Sequence, residues 1–299
     1  MLQKFNPKNE DIKIFVGDKL YPRKEAKISV FDSALQGGDA VWEGIRVYNG
    51  KIFCLHKHLQ RLQASAKTMD FANVPSNEKI IDAIRQTLHA NNMHNDTHIR
   101  LTLTRGEKIT SGMDPRLNQK GCCLIVLAEF KPVVYDNDNG IRLITASVRR
   151  NSPLNIDSKI HHNNLINNIL AKIEANHYGA DDAIMLDNYG FVAETNACNI
   201  FMVKNNQLCT PCADACLPGI TRQTVLDIAA SQSIKLVEKN ISISEFYNAD
   251  EVFTTGTMGE LTPVVEIDGR SIDNKNSSNI REQILVEYRR MIIEESVEI

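Results

Sequence analysis

Near the middle of the chain, residues 131–140 read KPVVYDNDNG. Proline, asparagine, aspartate and glycine stand together between two apolar runs, CCLIVLAEF before and GIRLITASV after. Such a stretch punctuates structure rather than continuing it. It predicts two domains, residues 1–130 and 141–299, joined by a linker over 131–140. The 299 residues give each part enough chain to bury its own core.

Before the linker, IKIFVG and AKISVF alternate as strands do, and RVYNGKIF reads as a hairpin about Asn49-Gly50. HKHLQRLQASAKTM places Leu59, Leu62, Ala66 and Met69 on one helical face, and Ser76 caps a second helix. THIRLTLTRG and CCLIVLAEF return to strand. After the linker come a strand, a helix closed by Gly179, two hairpins, a helix from Thr221, three further strand patterns and a last amphipathic helix. Strands and helices mix without a strict β-α-β rhythm, and no glycine-rich dinucleotide fingerprint follows a strand. The fold class is α+β in two domains, not a Rossmann fold.

The net charge of −3 gives no electrostatic footprint for nucleic acid or anionic lipid. No apolar run approaches membrane-spanning length. The opening MLQKFNPKNEDIKIF lacks a secretory charge-then-apolar plan, so the seven cysteines are expected as reduced thiols of a cytoplasmic protein.

Five stretches carry candidate chemistry. In DSKIHHNNLINNIL, Lys159 stands at the mouth of a core helix, where burial lowers an amine's pKa and frees it for Schiff-base chemistry. In GFVAETNACNIF, Glu194 interrupts an apolar strand just before a turn and suits a heterocycle nitrogen. In LPGITR, Ile220 and Thr221 begin a helix whose free N–H groups attract an anion. Gly256-Thr257 in FTTGTMGELTP offers a second phosphate-suited turn. In HLQRL, Arg61 edges an apolar stripe. Each alone has an ordinary reading, favoured for the lysine and the acid: a loop lysine, a turn acid, a capped helix, a Thr-rich turn or a snorkelling arginine. Together they supply the parts that pyridoxal phosphate needs: an imine-forming amine, a partner for the pyridine nitrogen and a phosphate cup.

These stretches, with VWEGIRVYNGKIF and DEVFTTGTMGELTPV, resemble the class IV aminotransferases, the fold-type IV pyridoxal-phosphate enzymes, in order over nearly the whole chain. WEGIRVY and HIRLTLTRG are most similar to the branched-chain amino acid aminotransferases. The resemblance implies a small α/β domain and a larger domain with a barrel-like β-sheet, the cofactor between them, and a homodimer or higher homo-oligomer. It implies transamination of branched-chain L-amino acids with 2-oxoglutarate by a ping-pong mechanism. Lys159 would carry the cofactor and move the proton. Glu194 would pair with the pyridine nitrogen. Arg61, Gly219, Ile220, Thr221, Gly256 and Thr257 would hold the phosphate. Leu217 would pack on the ring and Asn164 would stand near the phenolic oxygen. Trp42, Arg100, Arg105, Thr257, Met258 and Gly259 would meet the substrate.

Three departures from the family pattern stand out. Asn164 and Gly37 occupy positions where tyrosine is common in branched-chain enzymes. Arg100 matches a position typical of those enzymes, whereas Arg105 matches the slot where D-amino-acid aminotransferases bind a carboxylate. A D-amino-acid or (R)-amine transaminase therefore stays open as an alternative. Aminodeoxychorismate lyase shares the fold, but EGIRVY speaks against it. The remaining alternative is a metal-binding protein built on Cys209, Cys212 and Cys216. It needs a fourth ligand, for which Cys198 is the one nearby thiol, and no second C-x-x-C pair exists, so no metal is expected.

Overall fold

The computed structural model describes residues 4–273 and 279–299. The chain divides into two compact units: Val133–Lys159 with Leu165–Glu294, and the chain up to Pro132 with Ile160–Asn164 and Glu295–Ile299. Two short segments beyond residue 140 thus return to the N-terminal unit.

In that unit β1 (Lys13–Val16) and β2 (Lys19–Pro22) form a hairpin, and Asp32 caps the short α1 (Ser33–Gly37). β3 (Ala40–Tyr48) and β4 (Lys51–Ile52) turn about Asn49 and Gly50, both at positive φ, as a tight hairpin demands. Then come α2 (Leu55–Thr68), α3 (Asn77–Ala90), β5 (Thr97–Thr104) and β6 (Cys123–Phe130). The seven-stranded sheet runs from the C-terminal strand Val297–Glu298 through β4, β3, β5, β6 and β1 to β2. Strand alternation sends Val41, Ile45 and Val47 into one core with Leu55, Leu59, Leu62 and Ala66 of α2. Glu43 shares that phase and is fully buried. The alternation in AKISVF does not become a strand. Ile28, Val30 and Phe31 stay exposed, and Phe31 N bonds the Ser29 hydroxyl in a turn leading to α1.

The second unit holds β7 (Ile141–Thr145), α4 (Ile166–His177), β8 (Asp182–Leu186), β9 (Val192–Thr195), β10 (Asn199–Lys204) and β11 (Gln207–Pro211). α5 (Ile220–Ser231), β12 (Leu236–Lys239), α6 (Ile243–Tyr247), β13 (Glu251–Gly256), β14 (Glu260–Ile267), β15 (Arg270–Ser271) and α7 (Ile280–Glu295) complete it. Its sheet follows the order β12-β11-β10-β13-β14-β7-β8-β9, with β15 on β14. β9 ends this path, yet a turn closed by Thr195 N on Cys198 O (2.8 Å) joins it directly to β10 inside the sheet. The sheet therefore curls back on itself. β8, β9 and β13 are buried on both faces over most of their length, as strands of a covered, curled sheet are. Among the described residues no helix is long and apolar enough to cross a membrane.

Candidate active site

In the second unit, the loop between β11 and α5 gathers the candidate groups. Lys159 Nζ donates to Asp214 O (3.4 Å) and lies 3.6 Å from Asp157 Oδ1. Three residues beyond Asp214, Leu217 N donates to Glu194 Oε1 (3.3 Å), and Asn199 Nδ2 bridges Glu194 Oε2 (3.1 Å) to Leu217 O (2.8 Å). The amine and the acid are therefore both tied to one short loop. Cys216 lies within the fields of both, and burial pushes its thiol up to about 12. Sequence reasoning placed Lys159 in a low-dielectric pocket. Its side chain is instead 44% exposed, so the amine is open to a ligand.

Glu194 is 5% exposed, on a strand buried along its whole length. Burial raises its carboxyl above the ordinary range, and Arg150 pulls against that shift from 2.6 Å through Nε. Arg150 was not singled out from the sequence. The pair spans 44 residues, and nothing local in VRRNS announces it. Asn199, three residues after the turn asparagine of ETNACN, was missed for the same reason. Four buried side-chain polar atoms of this unit have no partner among the described residues: Arg150 Nη1, Asn196 Oδ1, Arg222 Nε and Thr255 Oγ1. Unpaired buried donors are rare in folded proteins and point to a group that completes them.

α5 begins without a side-chain cap, Gly219 occupying the N-cap, so its first amides are presented to an anion. Gly219 is required by close approach. A Cβ there would stand 2.1 Å from Asn199 Oδ1, the side chain that braces Glu194. Thr257 and Met258 sit in the tight turn from Gly256 to Glu260, closed by Gly259 N on Gly256 O (3.2 Å).

Arg61, Trp42, Arg100, Arg105 and Asn164 belong to the N-terminal unit. Arg61 grips Glu43 with Nε (2.8 Å) and Nη2 (2.7 Å), and Glu43 also meets His58 Nδ1 (2.7 Å) and His161 Nδ1 (3.1 Å). Burial pushes the Glu43 carboxyl up, but His161, Arg61 and His58 together hold it well below the ordinary range. Burial lowers His161 to about 4, so at neutral pH it is an uncharged donor. Arg61 was read as an anion-seeking arginine, and its carboxylate partner lies 18 residues earlier in EGIR.

Trp42 donates its backbone N–H to His161 O (2.9 Å) and its indole N–H to His162 O (3.1 Å). The Arg100 guanidinium stacks 3.4 Å from the Trp42 ring centre and donates to Asn163 Oδ1 (3.0 Å). Burial lowers Arg100 to about 10, which leaves it charged at neutral pH. Asn164 is exposed and donates its backbone N–H to His162 Nδ1 (3.1 Å). Arg105 is fully engaged. It bonds both Asp39 oxygens (2.6 and 3.2 Å) and the carbonyls of Met69 (2.7 Å) and Asp70 (3.0 Å).

The three cysteines before LPGIT behave as small protonated residues. Burial raises the thiols of Cys209, Cys212 and Cys216. Among the described residues no group of His, Cys, Asp or Glu is placed to hold a metal.

Known proteins agree with this architecture. The profile of the family described as Amino-transferase class IV matches residues 40–267. The chain belongs to the class IV aminotransferases. It is 59% identical over 285 residues, 95% of its own length, to branched-chain-amino-acid aminotransferase-like protein 2 of Arabidopsis thaliana. That match covers 51% of the relative, so the chain spans about half the length of this curated protein. It is 40% identical to the putative branched-chain-amino-acid aminotransferase of Methanocaldococcus jannaschii, over 93% of the chain and 96% of that protein. The branched-chain aminotransferase of Thermoproteus uzoniensis, solved with norvaline, superposes with a TM-score of 0.86 at 33% identity over 95% of both chains. The expected α+β, fold-type IV architecture is thereby established. The family's cofactor, pyridoxal 5′-phosphate, fits the donor set: an accessible lysine amine, a buried carboxylate, an uncapped helix start and a threonine hydroxyl without a partner among the described residues.

Proposed function

We propose that the chain is a pyridoxal-phosphate-dependent aminotransferase that moves the amino group of a branched-chain L-amino acid to 2-oxoglutarate. One observation carries the reading: a single loop, 212–219, ties Lys159 and Glu194 together and runs straight into the uncapped start of α5. An amine, a buried acid and an anion site tied to one short segment are what this chemistry requires.

The cofactor supplies an aldehyde that takes up the amino group and a protonated ring that accepts the electrons freed at the substrate's Cα. The chain's own groups do the rest. Lys159 Nζ would anchor the cofactor's aldehyde carbon and, once released, would act as the base that holds and moves the proton from the substrate's Cα. Glu194 keeps a proton on the ring nitrogen, and Arg150, Asn199 and Leu217 N fix its carboxylate in place. The amides of Ile220 and Thr221 hold the phosphate, with Arg61 and Thr257 as further donors in this reading. The turn at Thr257, Met258 and Gly259 receives the substrate carboxylate, and Trp42 walls the side-chain pocket. Arg100, charged and half-buried, suits the second carboxylate of 2-oxoglutarate. The 2-oxo acid product leaves before the second substrate binds, which makes the kinetics ping-pong.

Arg105 speaks for the L-series, because its donors are spent on Asp39 and two carbonyls rather than held open for a carboxylate. Seven free cysteines support a reducing, cytoplasmic setting. Ile166, Ile169, Leu170 and Ile173 form an exposed apolar stripe on α4, which supports a homodimer.

Half-reaction spectroscopy tests the reading. L-Leucine should convert the bound cofactor to its amino form rapidly, and Lys159→Ala should lose both the cofactor's absorption band and turnover while staying folded. Conversion by D-alanine but not L-leucine would reverse the substrate assignment, and full activity in Lys159→Ala would remove the mechanism.

A further inference from the structure

The stretch over 131–140 does more than join two domains. From residue 133 onward it belongs to the C-terminal unit and lies against the turn from Gly256 to Glu260. That turn holds an unusual backbone: Glu260, a buried non-glycine residue, sits at φ +56°. Left-handed backbone at such a residue persists only where the surroundings impose it, and it concentrates at functional sites.

The imposing contacts come from the linker sequence. Val134 N donates to Met258 O (3.1 Å) and Asn137 Nδ2 to Gly259 O (3.1 Å). Thr262 Oγ1 donates to Asn137 Oδ1 (2.7 Å), so the asparagine is fixed at both ends of its amide. The Tyr135 ring packs on Gly259, where a Cβ would stand 3.0 Å from its edge. Its hydroxyl donates to Asp182 Oδ2 (2.9 Å) and also bonds Cys198. Cys198 in turn fills the space beside Gly256, its sulfur 3.1 Å from where a Cβ there would stand. Both glycines of the turn therefore rest on one buried group, Tyr135 with Cys198 and Asp182. Both donors that the linker gives the turn go to its carbonyls, Met258 O and Gly259 O, and compete for none of its amides.

We propose that Tyr135 and Asn137 are positioning residues for the substrate carboxylate, acting by imposing the shape of the 256–260 turn. This rests on the aminotransferase reading, in which that turn receives the carboxylate. The probe is an unreactive branched carboxylic acid, titrated into holoenzyme by calorimetry. Asn137→Ala should weaken its binding about tenfold and raise KM for L-leucine and for the 2-oxo acid alike, with kcat within about threefold. The cofactor's absorption band and its retention on dialysis should not change. Asn137→Asp keeps the acceptor for Thr262 but loses the donor to Gly259, so it should fall with alanine. Tyr135→Phe, isosteric within the core, should weaken binding about threefold and guards against a merely unfolded Asn137 variant. Wild-type affinity for the acid in folded Asn137→Ala and Tyr135→Phe overturns the proposal, and so does loss of the cofactor band in both. Failure of wild-type holoenzyme to transaminate L-leucine would strike the functional reading instead, because acid binding is read without turnover.

Discussion

Glu194 has a structural partner in Arg150 and, in the proposed function, a cofactor role, and a pair of substitutions separates the two. Its side chain and that of Arg150 are each 7% exposed, and they meet at 2.6 Å. Arg150 Nη1 is already without a partner, so removing the carboxylate leaves a buried guanidinium with little to offset its desolvation. Breaking a buried pair from one side costs roughly 3–5 kcal/mol. Glutamine keeps a carbonyl for Arg150 Nε, so Glu194→Gln belongs near the lower end, about 3 kcal/mol. For a unit of this size that lowers Tm by roughly 6–12 °C. Adding Arg150→Met removes the stranded charge, and apolar replacement of a buried pair is commonly neutral. The double variant should recover to within about 1 kcal/mol of wild type.

Turnover should not follow stability. A glutamine does not hold a proton on the ring nitrogen, so both variants should lose at least about a hundredfold in kcat. The assay pairs thermal unfolding with the first half-reaction under excess L-leucine. Recovery of turnover together with stability in the double variant would make Glu194 a structural acid and refute the assignment. Unchanged turnover in Glu194→Gln would do the same.

Three further outcomes follow from the geometry. Glu43 has a folded-state pKa well below its ordinary 4.5, so its stabilisation is complete above 4.5 and is lost as pH falls from there through the lower folded-state value. Glu43→Gln should therefore flatten the acid limb of a stability-against-pH curve, and an unchanged limb would refute the cluster's role. Gly219→Ala places a methyl 2.1 Å from Asn199 Oδ1, so dialysis should strip the cofactor from this variant much faster than from wild type. Arg105→Ala should lower Tm measurably while leaving KM for L-leucine within about twofold, because the arginine serves Asp39 and two carbonyls. A large KM rise at unchanged stability would return Arg105 to the substrate pocket.

The parts of the candidate site legible in the sequence were those whose signal is local. Lys159 before a helix, Glu194 at a strand end and the Gly-Ile-Thr helix start each carry their signal within a few residues. Their partners do not. Arg150 meets Glu194 across 44 residues, Arg105 meets Asp39 across 66, and Arg61 meets Glu43 across 18. A single sequence shows an arginine without showing which carboxylate it faces, so Arg105 read as a substrate ligand when its fork was already filled. The helix α6 was also passed over, although Ser242 and Glu245 form a complete capping box, because five residues show too little apolar period.

The linker shows the same limit from the other side. Proline, asparagine, aspartate and glycine correctly mark a break in regular structure, since those residues bond locally or fix φ. The composition is silent on where the remaining donors go. Asp136 spends its carboxylate on Asp138 N and Asn139, as a loop former should. Asn137, beside it and alike in propensity, reaches 122 residues onward to Gly259. The carboxylate can only accept, whereas the amide also donates, and the folded chain turns that donor onto the turn. A buried backbone carbonyl needs a donor: Gly259 O takes one from Thr262 Oγ1 of its own hairpin (2.9 Å), whereas Met258 O takes Val134 N of the linker (3.1 Å). A polar segment passing over it is the cheapest source, which is a physical reason for a linker to become part of a site.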